Sequence, residues 1–157
     1  MELFLNFPLV AAISAIIFAQ FIKIPISFVA TKKWDWSLFN STGGMPSSHS
    51  AGVTALTTGV AIVEGVSSTL FAVSTVFAII VMYDSSGVRR QTGEQAIAIN
   101  LLMKDFQKLV SDAKNWPKSP EEKRQELEEV LGHKPIEVFF GAITGIILAL
   151  ILGSFFS

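Results

Sequence analysis

The stretch VFFGAITGIILALILGSFFS, from Val138 to Ser157, contains no Asp, Glu, Lys or Arg. A helix of roughly 20 mostly apolar residues crosses a bilayer core, so this stretch reads as a membrane helix. Going back through the chain, three more runs lack all four charged residue types: Leu3 to Ile22, Trp36 to Val63 and Gly65 to Tyr83. The expected crossings are therefore about 3–22, 46–63, 66–83 and 135–156, with Pro46 and Pro135 each suited to a first helical turn. The fold class that follows is all-α, a polytopic membrane bundle of four transmembrane helices. Amphipathic or soluble helices are expected in the region 84–134, and residues 1–157 form a single integral-membrane domain.

Composition narrows the class further. Of 157 residues, 50% are hydrophobic and 16% charged, and the mean hydropathy of +0.52 is too high for an ordinary soluble domain. Twelve basic against 13 acidic residues leave a net charge of -1, which excludes a nucleic-acid module. The absence of cysteine excludes a disulfide scaffold, a thiol nucleophile and a Cys-ligated zinc. Glu2, and no basic residue, precedes the first apolar run, so that run reads as a retained helix rather than a signal peptide.

Between the apolar runs lie two polar sections. In the first, Lys23, Pro25, Lys32, Lys33, Trp34 and Trp36 mark an interfacial loop that ends in the flexible turn Asn40 to Gly44. In the second, Gln91 to Val110 has helical periodicity, with Ala96, Ile97, Ile99, Leu102, Met103, Phe106 and Val110 on one apolar face. It is too charged to span, and is expected on the surface or folded back against the bundle. Trp116 through Pro120 breaks it, and the charged run to Leu131 reads as a solvated helix with Ser119 as N-cap. Together these form a polar helical insertion over about 88–131.

All 12 lysines and arginines fall within 23–49 and 84–137. Four crossings put those two segments on one face. The positive-inside tendency makes that face cytoplasmic and puts both termini outside, in what is expected to be the plasma membrane.

Both histidines lie on that face. His49 sits in Gly43-Gly44-Met45-Pro46-Ser47-Ser48-His49-Ser50, where glycines admit a ligand close to the backbone and a helix start offers unpaired N–H groups to an anion. The hydroxyls of Ser47 and Ser48 can add donors, and His49 is placed to give or take a proton. The same pattern also suits a serine that merely caps the helix. His133 and Glu137 are four residues apart across Pro135, so the carboxylate can reach back to the imidazole and fix its tautomer. An incidental helix-end ion pair has that spacing too. After the third apolar run come Asp84-Ser85-Ser86-Gly87-Val88-Arg89-Arg90. Arg89 and Arg90 are natural phosphate clamps, though paired basic residues also anchor membrane helices. Asp84 can orient an arginine, bind a divalent ion with Glu94, or cap a turn. Two carboxylates without a histidine make a poor metal site, so no metal is expected.

These three segments resemble the type 2 phosphatidic acid phosphatase (PAP2) superfamily. The closest likeness is to its small divergent branch, related to acid phosphatases and vanadium-dependent haloperoxidases, and it extends from about Gln20 to Gly145. By position, Lys23 resembles the first-motif lysine, and Ser47 and His49 the serine and general acid of the second motif. Arg89 or Arg90 resembles the third-motif arginine, and His133 with Glu137 the nucleophile and its partner. Gly44 and Asp84 are supporting residues. The chain departs from the superfamily pattern in four ways. Ala30 and Thr31 stand where Arg-Pro is expected, Ser48 replaces a glycine, Glu137 replaces an aspartate, and the arginine-to-histidine gap is more than 40 residues longer. The resemblance implies hydrolysis of a lipid phosphomonoester or diphosphate through a phosphohistidine, with no metal or cofactor. Its partners would be the bilayer and the phosphorylated lipid.

Two other readings stand beside it. One is a non-catalytic binder or transporter of a phosphorylated lipid or small anion that uses the same pocket. The other is a structural helix packer, because Gly141 and Gly145 form a small-xxx-small face. Four short helices make a meagre core, so a homo-oligomer is expected.

Overall fold

The computed structural model describes residues 6–40, 43–112 and 132–156. Its helices are α1 (Phe7–Thr31), α2 (Ser48–Glu64), α3 (Thr69–Ser86), α4 (Val88–Asp112) and α5 (Pro135–Phe156), with one short 3-10 turn at Trp36–Asn40. Among the described residues there is no strand. The expected segment around Trp116, Ser119 and Pro120, up to Leu131, lies outside the described residues.

Three spans are long and apolar enough to cross a membrane: Phe7–Val29, Thr69–Leu109 and Pro135–Phe156. The fourth expected crossing, α2, is not among them. It has 17 residues and is rich in Ser, Thr and Gly. Its position explains that composition, since α2 packs against α1, α3 and α5. Its hydroxyls meet protein rather than lipid: Thr54 donates to the carbonyls of Ser50 and Ala142, and Thr57 to those of Val53 and Ser74. A helix enclosed by others can carry polar side chains that a lipid-facing helix would not tolerate.

Small residues bring the helices together. Phe7, Ala11, Ala15 and Ala19 of α1 form one core with Ala51 and Ala55 of α2 and Ala149 of α5. On α5, Gly141, Gly145, Ala149 and Gly153 are buried. A Cβ on Gly141 would meet the Ser47 carbonyl, and one on Gly145 would meet the Ala51 carbonyl and Thr54 Oγ1. The glycine face noted in the sequence is therefore spent on packing inside the bundle, against α2.

Several boundaries differ from expectation, and α3 is shifted by three residues, to Thr69–Ser86 from about 66–83. The first helix does not stop before Lys23 but runs to Thr31 with Pro25 inside it. Proline removes one helical hydrogen bond, a loss that neighbouring helices of a bundle can offset. The helix closes only at Lys32, a left-handed residue whose N–H donates to the Phe28 carbonyl at 2.8 Å. Lys23 is thereby a buried helical residue, not a loop anchor. The second helix starts at Ser48, not Pro46, with Ser47 as its N-cap.

The α4 helix covers the expected amphipathic segment, yet the face it buries is different. Gly93, Ala96 and Asn100 are buried and Met103 half-buried, whereas Ile97, Ile99, Leu102 and Phe106 are exposed. The buried stripe, Gly93, Ala96, Asn100 and Met103 at a spacing of three or four residues, is one face of the helix but not its most apolar one.

Candidate functional site

The start of α5 shapes the first half of the site. Pro135 occupies the first helical position, and Glu137 reaches back so that its Oε2 accepts from the Lys134 N–H at 3.0 Å. This is half of a capping box, which satisfies a helix-start N–H that would otherwise lack a partner. The same oxygen lies 3.1 Å from His133 Nδ1. A carboxylate there holds the ring hydrogen on Nδ1 and leaves the lone pair on Nε2. His133 is only 1% exposed, and its Nε2 is buried with no hydrogen-bond partner. Burial lowers the pKa of His133 below the usual 6.5. The hydrogen bond and charge of Glu137 oppose that effect, the Lys23 charge adds to it, and the Gly44 carbonyl nearby works against it.

The turn before α2 supplies the second half. Gly44 has φ +90, and a Cβ built there would lie 3.8 Å from Lys23 Cδ, so this turn closes over the buried lysine. Ser47 is fully buried. Its hydroxyl oxygen accepts from the Ser50 N–H at 3.3 Å and the Ser50 hydroxyl at 3.1 Å, so the capping role foreseen as an alternative is observed. Ser48 is buried beside it. The Ser47 N–H donates to the Glu137 carbonyl at 3.0 Å, which ties this turn to α5. The rings of His49 and His133 lie 5.8 Å apart, centre to centre, inclined at 65°. His49 Nδ1 is buried without a partner. Both imidazoles are therefore within reach of one tetrahedral group.

The end of α3 forms the rim. Asp84 Oδ2 accepts from Arg89 Nε at 2.8 Å, which is the orienting role considered for Asp84. Arg90 Nε donates to Glu94 Oε1 at 3.1 Å instead. The two carboxylates that a metal would need are thus each engaged by an arginine. The charges of Arg89, Lys23 and Asp84 are close enough to act on His49. Two backbone contacts fix this rim to His133. The His133 N–H donates to the Ser85 carbonyl at 2.8 Å, and Gly132, at φ +88, packs so closely on the Arg89–Arg90 backbone that a Cβ would collide with Arg90 N. Only glycine combines that φ with that approach.

Lys23, Gly44, Ser47, Ser48, His49, Asp84, Arg89, His133 and Glu137 therefore gather at one end of the bundle. Both arginine side chains are about half exposed, and Arg90 is turned to Glu94 instead. Ala30 and Thr31 lie about two turns beyond Lys23 on α1. One residue was missed by the sequence reading. Gln20 of α1 has a buried Oε1 without a partner. The available signal was an amide inside an apolar run, three residues before Lys23.

Apolar helices closed around a polar, histidine-bearing end define an integral membrane protein. The family model of the divergent PAP2 family matches residues 4–148, and the chain belongs to that family. It is 60% identical over 157 residues to the uncharacterized membrane protein YuiD of Bacillus subtilis (strain 168), a match that covers 99% of each chain. No solved structure matches it.

Proposed function

We propose that this protein is a membrane phosphatase that releases phosphate from a lipid phosphomonoester or diphosphate by way of a phosphohistidine. One observation carries the reading: His133 Nε2 is buried and unpartnered, while Nδ1 of the same ring is held by Glu137. This leaves a single nitrogen with its lone pair available and its ring orientation fixed, which a nucleophilic histidine requires.

In the first half-reaction Nε2 attacks phosphorus, the N–P bond forms, and the P–O bond to the leaving group breaks. His49 in its protonated form gives its proton to the leaving oxygen. In the second, water attacks phosphorus, His49 takes a water proton, and the N–P electrons return to His133. Lys23 and Arg89 hold the phosphoryl oxygens, with Arg90 and the turn at Gly44, Ser47 and Ser48 contributing at the rim. Orientation follows the charge distribution: the site faces the cytoplasm and both termini lie outside, in the plasma membrane. A phosphate site at the polar end of an apolar bundle meets lipid headgroups first, hence a lipid substrate. Small interhelical contacts within one chain leave large apolar faces outside, consistent with a homo-oligomer.

Purified protein in lipid nanodiscs is assayed for phosphate release from a diacylglycerol phosphate, a single-chain alkyl phosphate and an isoprenyl diphosphate. Release by the wild type and its loss in His133→Ala are expected, and unchanged turnover in that variant overturns the assignment. The missing first-motif arginine at Ala30 favours a second reading, a non-catalytic binder of the same lipids. It is supported if the wild type releases no phosphate while binding survives His133→Ala and fails in Arg89→Ala.

A further inference from the structure

Among the described residues, three buried side-chain nitrogen or oxygen atoms lack a hydrogen-bond partner: His49 Nδ1, His133 Nε2 and Gln20 Oε1. A buried polar atom left unpaired is unfavourable, and such atoms in a folded chain call for an explanation. For the two histidines the explanation is a guest that approaches the unpaired nitrogens. Gln20 has no part in the chemistry described so far.

Its height in the bundle follows from how α1 meets the chain around α2. The backbone of Gly59 lies under Pro8, that of Gly52 under Ile16, and that of Gly44 under Lys23. Each advance of seven or eight residues along α1 is matched by a retreat of seven or eight along its partner, so the two run antiparallel in constant register. Gln20 falls midway between Ile16 and Lys23, which puts it at the height of Ser48, the first residue of α2. It sits one turn below the lysine that the site closes over. The three unpaired atoms thus belong to one stratum of the bundle.

We infer that Gln20 is a positioning residue of this site, whose Oε1 accepts one O–H of the water that cleaves the phosphohistidine. The inference rests on the phosphatase reading above. An amide oxygen only accepts, and so do the oxygens of a phosphoryl group, so the two do not hydrogen-bond to each other. Water has two O–H groups and satisfies both acceptors at once, Gln20 Oε1 and the unpaired nitrogen of neutral His49. As the water oxygen bonds to phosphorus and the N–P bond breaks, the hydrogen facing His49 leaves as its proton. The hydrogen facing Gln20 stays on oxygen, and inorganic phosphate departs. Gln20 exchanges no proton. It aims the nucleophile, so it matters for breakdown of the phosphoenzyme and not for its formation.

The test uses the full chain in nanodiscs with a radiophosphorus-labelled single-chain alkyl phosphate, and follows protein-bound label and released phosphate separately. In Gln20→Leu, label is expected to form within about twofold of the wild-type rate and to break down about 10-fold to 100-fold more slowly, so that phosphoprotein accumulates. Normal label formation also shows that the variant is folded. If Gln20→Leu does not fold, Gln20→Met, of similar length and also without the carbonyl, must show the same split. Formation and breakdown slowed by the same factor, or neither slowed, overturns the inference. A wild type that takes up no label and releases no phosphate overturns the phosphatase reading itself, and does so without reference to any Gln20 variant.

Discussion

The N–H of Ser47 donates to the carbonyl oxygen of Glu137 at 3.0 Å, across 90 residues of chain. This bond joins the cap of α2 to the first turn of α5, and so fixes the distance between the two helix starts that carry the imidazoles. Gly141 makes the approach possible, because the Ser47 carbonyl occupies the place where its Cβ would be. Small-residue packing and site geometry are therefore the same feature, and substitutions along α5 bear on both.

Glu137→Gln separates charge from shape. The amide oxygen can take the place of Oε2, accepting from both the Lys134 N–H and the His133 Nδ1–H, so the tautomer is kept. What is lost is the negative charge that stabilises the positive charge developing on the ring as Nε2 bonds to phosphorus. Phosphate release is expected to fall by about 10²–10⁴-fold with the melting temperature little changed, measured by turnover and by thermal unfolding in detergent.

Gly145→Val places carbon atoms against the Ala51 carbonyl and Thr54 Oγ1 in the middle of the α2–α5 contact. Overpacking of this kind costs about 1–3 kcal/mol. Gly141→Ala is expected to lose stability to a similar extent and, in addition, to lower turnover per folded molecule, because it pushes on the Ser47 carbonyl. Thermal unfolding and activity measured on the same preparation distinguish the two variants.

Arg89 and Arg90 are expected to differ. Arg89 is aimed by Asp84 and its charge acts on His49, whereas Arg90 is held by Glu94. A hydrogen bond to a charged group is worth about 1.5–3 kcal/mol. Arg89→Ala is therefore expected to weaken inhibition by inorganic phosphate by about 10-fold or more, and Arg90→Ala by much less. Equal effects would contradict this division.

Burial holds His133 below its usual pKa of 6.5. A histidine depressed in the folded state contributes stability that is present above its unfolded pKa and is lost as pH falls through the folded one. The melting temperature is expected to be higher at about pH 7.5 than at about pH 5, and His133→Asn should flatten that dependence. The same sign keeps the imidazole neutral, as a nucleophile must be, at and above neutral pH.

Much of the architecture was legible in the chain. The span expected at 135–156 is α5, Pro135–Phe156, because an uncharged run opened by proline leaves little choice of boundary. The end of α1 was not legible. A lysine followed by Pro25 is a stop signal by local rules, and only the closing of the Gly44 turn over Lys23 shows why a charged residue lies buried inside the helix. The missing apolarity of α2 is explained in the same way, by the three helices that pack against it.

Residue types and their spacing alone determined that the chain enters a membrane, that its basic residues collect at two segments, and that His133 and Glu137 form a pair. Helical pitch fixes that last point, since it acts over four residues. Tertiary structure decided the rest: that His49 lies beside His133, that the charge of Arg89 acts on His49, that the α5 glycines are used internally, and that Gln20 stands level with the site. Each of these depends on how one helix is set against another. That setting arises from the close approach of small side chains and from hydrogen bonds between residues far apart in sequence, which no local pattern encodes.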